Sequence, residues 1–162
     1  MKHSMRICQG LKLTAVFAVA LSIGACANSH LGANTMAGAA RPGSAQDFVV
    51  NVGDRVFFVE NQTDLTPQAT VVLNEQAQWL RAYPSYTFTI EGHADERGTR
   101  EYNLALGASR AQNVRNYLIS RGVDATRMRT ISYGKERPVA VCNAESCWSQ
   151  NRRVVTVLNA SS

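Results

Sequence analysis

Between Thr66 and Ser120 the chain changes from helical to extended periodicity and back, and this alternation restricts its fold more than any other feature. Thr66-Pro67 has the chemistry of a helix start, with a hydroxyl at the N-cap and proline in the first helical position. Ala69, Leu73, Ala77 and Leu80 then recur at helical spacing until Tyr83-Pro84 stops the run. From Thr87 to Glu91 the period becomes two, with Phe88 and Ile90 on one face, as in a strand. A loop from Gly92 to Arg100 leads into a second helical stretch, about Glu101 to Ser120, which Gly122 closes. Val49 to Val52 and Arg55 to Val59 are β-rich and separated by the turn-forming Gly53-Asp54. Arg129 to Tyr133 and the β-branched run from Arg153 to Leu158 read as further strands, with a loop containing Cys142 and Cys147 between them. The order strand, helix, strand, helix, strand, strand predicts an α/β (α+β) sandwich, two main helices packed on one mixed sheet of about four strands.

The 162 residues suffice for one such domain, and no internal repeat is visible. Not all of them belong to it. Lys2, Arg6 and Lys12 precede an apolar run from Leu13 to Ile23 and the small residues Gly24 and Ala25, the pattern of a secretory leader. About 11 apolar residues are too few to span a bilayer core, which needs roughly 20. The net charge of +5 suggests an anionic partner such as nucleic acid until the leader is removed. Loss of Lys2, Arg6 and Lys12 reduces the 17 Lys+Arg to 14 against 12 Asp+Glu, a net +2, and that argues against nucleic acid. Residues 27 to 46 are rich in Ala, Gly, Ser and Asn without apolar periodicity, so they read as a flexible tether. The expected division is a leader over 1–25, a tether over 26–46 and a folded domain over 47–162.

The leader's exit carries more information. Ile23-Gly24-Ala25-Cys26 resembles the lipobox of bacterial lipoproteins, in which the cysteine becomes the diacylglyceryl-modified N-terminus. Two or three acyl chains anchor a protein stably where one does not. Ala27 and Asn28 follow Cys26, in place of the aspartate that retains enterobacterial lipoproteins in the inner membrane. The resemblance therefore implies the outer membrane, with the domain facing the periplasm. With Cys8 in the leader and Cys26 lipidated, Cys142 and Cys147 remain, and an oxidising compartment favours one short disulfide between them. Zinc is the rival reading, but it needs two more ligands, and only His30 and His93 remain in the mature chain. No metal and no cofactor are expected.

The segment from Gly92 to Leu104 leaves a strand and enters a helix, a place where ligands are commonly held. Within that helix Arg110 falls about 40° from Leu106 on the helical wheel, inside the apolar arc of Ala111, Val114, Tyr117 and Leu118. A guanidinium there needs a charged partner. Three arrangements fit: an internal Asp95–Arg110 salt bridge that pins loop to helix, an Arg110 that snorkels to the surface, or a pair that grips a ligand.

Gly92-His93-Ala94-Asp95-Glu96-Arg97-Gly98, Tyr102-Asn103 and Arg110-Ala111 resemble the signature of the OmpA-like peptidoglycan-binding domain. The match continues through Tyr117-Leu118, Gly122-Val123, Ser132-Tyr133-Gly134 and Asn151-Arg152-Arg153-Val154. With a lipobox, a short tether and a lone domain, the chain is similar to the peptidoglycan-associated lipoproteins of the Tol–Pal system. That resemblance implies a protein without enzymatic activity that binds the meso-diaminopimelate of uncrosslinked stem peptides and ties the outer membrane to the wall. It implies TolB, and secondarily TolA, as protein partners, and roles in envelope integrity and in outer-membrane constriction at division. Asp95 and Arg110 occupy the positions that grip the zwitterionic end of diaminopimelate. Asn61, His93, Ala94, Arg97, Asn103 and Leu104 fall at the groove. For His93 and Arg97, contact with the wall and ordering of the loop are both open.

Elementary chemistry agrees with these roles. An aspartate accepts hydrogen bonds from the ammonium of the ligand, and an arginine holds its carboxylate bidentately. One departure stands out. Where family members commonly show an aromatic, a small residue, an aromatic and Asp, this chain has Phe58, Val59, Glu60 and Asn61. Reading His93, Asp95 and Glu96 as the acid–base or metal site of a wall hydrolase is the rival from a different class; one histidine and a solvated acidic turn give it little support.

Overall fold

The protein was analysed as a computed structural model that describes residues 40–159. The expected leader, Cys26 and most of the tether lie outside the described residues. Helix α1 (Ala45–Asp47) runs directly into a wide π-helical segment, Phe48–Gly53. Strand β1 (Arg55–Phe57), helix α2 (Pro67–Ala82), β2 (Phe88–His93) and helix α3 (Arg100–Ser120) follow. A single 3₁₀ turn then precedes β3 (Met128–Gly134), the short helix α4 (Glu145–Asn151) and β4 (Arg153–Leu158). The sheet order is β1-β4-β2-β3, antiparallel except for the parallel β2–β3 pair. The expected mixed four-stranded sheet with two main helices is borne out.

Two local expectations need correction. Val49 to Val52 is helical, not extended. Its valines favour a strand locally, but Phe48 is fully buried against the Trp79 ring at 4.9 Å, and Asn51 reaches back one turn to Asp47. Tertiary anchoring of one aromatic outweighs local β-propensity here. The supposed loop between β3 and β4 also contains α4, and Cys142 and Cys147 are joined in a disulfide, as expected, with Cα atoms 5.7 Å apart.

A threonine caps both long helices, the first as its sequence predicts and the second at a position the sequence reading did not single out. Thr66 Oγ1 accepts the Ala69 N–H, and Thr99 Oγ1 accepts the Tyr102 N–H. The periodic residues Ala69, Leu73, Ala77 and Leu80 are buried on α2, as are Ala111, Val114 and Leu118 on α3. They meet Val56, Phe88, Ile90 and Val154 from the sheet to form one core. At the top of β2 the packing becomes backbone on backbone. A Cβ on Gly92 would lie 1.9 Å from the Gly107 carbonyl oxygen, so only glycine lets α3 press this close. That contact sets the height of the α3 N-terminus beside the loop after β2.

Candidate functional site

The loop from Ala94 to Thr99 leaves the C-terminal end of β2 and returns into α3. Its first residue is tied to β3, with the Ala94 N–H donating to the Gly134 carbonyl at 2.8 Å. Asn103, in the first turns of α3, donates to the Arg97 carbonyl at 2.7 Å and so fixes the loop from the helix side. Leu104, half-buried, packs its backbone against Gly134.

Asp95 is only 7% exposed and sits between two guanidinium groups. Arg97 approaches its carboxylate at 2.7 Å and Arg152 at 3.3 Å. Arg97 also pairs with Glu60 at 2.9 Å, and Arg152 pairs closely with Glu145. The result is a chain of alternating charge, Glu60–Arg97–Asp95–Arg152–Glu145, with Asp95 at its centre. Burial works to raise the Asp95 carboxyl, but hydrogen bonds from Arg97 and Arg152 prevail and hold it below its ordinary range. It is ionised at neutral pH. Arg97 lies over the Trp148 ring, 4.1 Å from its centroid, and the indole N–H of Trp148 donates to Glu96.

Arg110 takes none of the three arrangements in its simple form. Its side chain is fully buried and it does not pair with Asp95. The guanidinium instead donates to three carbonyls, those of Gln62 at 2.8 Å, His93 at 3.0 Å and Val59 at 3.0 Å. It thereby fastens the segment after β1 to the end of β2, two residues before Asp95. Burial and the neighbouring charge of Arg152 lower its pKa to about 10, so it stays charged at neutral pH. These bonds use three of the five N–H groups of its fork.

His93 points to the opposite face of the sheet from the helices, 2% exposed, with its ring 5.6 Å from that of Tyr133. Neither ring nitrogen has a hydrogen-bond partner among the described residues. Burial, then the charges of Arg153 and Arg137, press its pKa to about 4. It is neutral at neutral pH, so its 3.9 Å approach to Glu91 is not a salt bridge there. Asn61, exposed and in a left-handed conformation with φ 53°, accepts the Tyr102 hydroxyl at 3.2 Å. Glu60, the departure flagged in the sequence, is therefore used: it holds the exposed side of Arg97.

Sequence reasoning missed Arg152, Glu145 and Trp148. Arg152 was visible only as part of Asn151-Arg152-Arg153, where two adjacent cations precede a β-branched strand. Nothing in the sequence joined Glu145 or Trp148 to Asp95, because α4 was not anticipated.

With this geometry in view, relatives are informative. Residues 57–152 match the OmpA family. A peptidoglycan-associated lipoprotein of Rhizobium meliloti (strain 1021) is 65% identical over 134 residues, covering 83% of this chain and 76% of the relative. The chain belongs to the OmpA family, among the peptidoglycan-associated lipoproteins. The relative from Brucella melitensis is 66% identical over 125 residues, 77% of this chain and 74% of its own length. The crystal structure of the peptidoglycan-associated lipoprotein from Burkholderia pseudomallei superposes with a TM-score of 0.67 at 37% identity, covering 72% of this chain and all of that one. The C-terminal domain of Helicobacter pylori MotB, at 21% identity and a TM-score of 0.62, shares the fold.

Proposed function

We propose that this lipoprotein binds peptidoglycan non-covalently through the rim around Asp95 and ties the outer membrane to the wall, with no catalytic step. Membership of the family and the close relatives named above support the reading. The observation that carries it is Asp95 itself, a shielded, ionised carboxylate at the end of β2 whose partner Arg97 is one-third exposed. The ammonium of diaminopimelate would take the place of part of Arg97's contact with Asp95. The ligand's carboxylate would turn to the spare N–H groups of Arg110, reached as the exposed Val59–Gln62 segment moves. Asn61, Ala94, Asn103 and Leu104 would frame the groove, and His93 would act through its carbonyl rather than its ring.

The fold's polarity suits a tethered anchor. Gly43 lies beside the start of β2, where the Tyr86 hydroxyl donates to its carbonyl at 2.9 Å. Asp95 follows the finish of the same strand. Residues 43–46, expected as the last of the tether, are folded here, and a tether that ends before Gly43 would join the domain at the end of the sheet opposite Asp95. TolB, with TolA secondarily, would be the protein partners; retention of purified TolB on the immobilised chain tests this. Cys26→Ser is expected to move the protein from the membrane to the soluble fraction, and an unchanged membrane fraction would refute the anchor.

The central experiment is titration with a muropeptide that carries a free diaminopimelate end. Removing one partner of a desolvated charge pair costs roughly 2–5 kcal/mol, so Asp95→Ala should bind at least about tenfold more weakly. Lysine-type stems, which lack the terminal carboxylate, should bind wild type less well. Equal binding of the two stem types would defeat the assignment.

A further inference from the structure

We propose that Glu145 and Trp148, on the disulfide-stapled helix α4, are positioning residues that set the two guanidinium groups flanking Asp95 and so tune its grip on the stem peptide. The proposal rests on the reading of Asp95 as the wall contact. It adds a control element that lies outside the loop–helix motif.

Glu145 acts on Arg152. The buried Arg152 is shared: its Nε donates to the Phe58 carbonyl at 3.1 Å, and its two terminal nitrogens engage Glu145. Only one of those nitrogens also reaches Asp95, at 3.3 Å. Glu145 thus draws the guanidinium fork toward itself and leaves Asp95 a long second bond. Without the Glu145 charge, Arg152 would turn its fork onto Asp95 and compete with an incoming ammonium. The Glu145 side chain is 61% exposed, so this pair contributes little to stability and its consequence falls on Asp95.

Trp148 acts on the other flank. Its ring supports the Arg97 guanidinium, and its indole N–H holds Glu96, so the two loop residues that follow Asp95 rest on one side chain. Glu145 and Trp148 are three residues apart and share a face of α4, which brings them to the same rim.

A helix of seven residues does not hold itself in place. The Cys142–Cys147 bridge ties the preceding loop to the residue before Trp148. At the far end of α4, the Asn151 side chain accepts the Val139 and Ala140 N–H groups and donates to the Ala140 carbonyl. The bridge, in the first turn of α4, and Asn151, its last residue, together clip the helix to the 139–142 segment.

The test uses the full chain in detergent and the same diaminopimelate muropeptide, with Asp95→Ala as the control for the wall contact. Glu145→Gln and Trp148→Phe are each expected to weaken binding about three- to tenfold with the melting temperature of wild type. Cys142→Ser with Cys147→Ser should weaken binding in the same direction. Added to Glu145→Gln, it should do so by less than it does alone, because both changes act through α4. Wild-type affinity in Glu145→Gln and Trp148→Phe, with binding lost in Asp95→Ala, would overturn the positioning role and leave the wall contact standing. Full additivity of the bridge and Glu145 changes would overturn the link between disulfide and site. Undiminished binding by Asp95→Ala would instead remove the wall-contact reading, and this proposal with it.

Discussion

Asp47 and Asp95 lie at opposite ends of the sheet, 9% and 7% exposed, and keep different company. Asp47 accepts from the Trp79 indole N–H, the Asn51 amide and the Gly43 backbone N–H, all neutral donors. Around it the rings of Phe48, Tyr83 and Tyr86 close on Trp79 at centroid distances of 4.9, 4.6 and 5.3 Å. Those hydrogen bonds, Trp79's first, lower the Asp47 pKa without a cation. Asp95 instead depends on two arginines that are themselves shared with Glu60 and Glu145. A carboxylate saturated by fixed neutral donors closes one end of a fold. One held by shared cations, of which Arg97 is one-third exposed, can exchange a partner, and on the proposed reading that difference separates the structural end of this sheet from the binding end.

The largest loss is expected at Arg110. It supports the Asp95 end by holding three carbonyls, and Arg110→Ala leaves all three without their donor. Chemical denaturation is expected to show a loss of about 3 kcal/mol or more, with binding lost in parallel. A well-folded Arg110→Ala that merely fails to bind would leave the guanidinium its proposed contact with the ligand and remove its role in the scaffold.

Acid provides the next sharpest contrast, because buried His93 belongs to the same end. Its pKa falls from an ordinary 6.5 to about 4 in the fold, so between those values the unfolded chain binds the proton and the folded chain does not. Stability should therefore decline as pH drops from about 6.5 to 4, by up to about 3 kcal/mol. The depressed Asp95 carboxyl adds its own loss only at lower pH, as it is protonated below the ordinary carboxylate range. His93 is the one histidine within residues 40–159, so His93→Phe should flatten the upper part of that slope. A slope that survives the substitution would show that another group titrates.

The smallest effect is expected at the other end. Asp47→Ala leaves the buried Trp79 N–H without an acceptor and should lower the melting temperature by about 5 °C. Muropeptide affinity measured well below that temperature should not change. A loss of affinity would mean that the two ends of the sheet are coupled.

The sequence alone determined the frame. Helical spacing of Ala69, Leu73, Ala77 and Leu80, and period two through Phe88 and Ile90, are one-dimensional records of which face meets the core, so α2, α3 and the mixed sheet could be read before any coordinates. The segment from Gly92 to Leu104 was legible for a similar reason: its residues are contiguous, and strand end, loop and helix start are local features. Val49 to Val52 misled because β-propensity is a weak local preference, and Phe48's burial against Trp79, decided 31 residues away, overrode it. The partners of Asp95 were the part that only tertiary structure could decide. A helical wheel puts Arg110 on the buried face and leaves Asp95 as one of its possible partners, yet Arg110 is satisfied by carbonyls 17 to 51 residues distant. The second cation on Asp95 comes from Arg152, 57 residues away, delivered by the antiparallel return of β4 beside β2. Charges attract whichever partner the fold brings within a few ångströms, and sequence spacing carries no record of that distance.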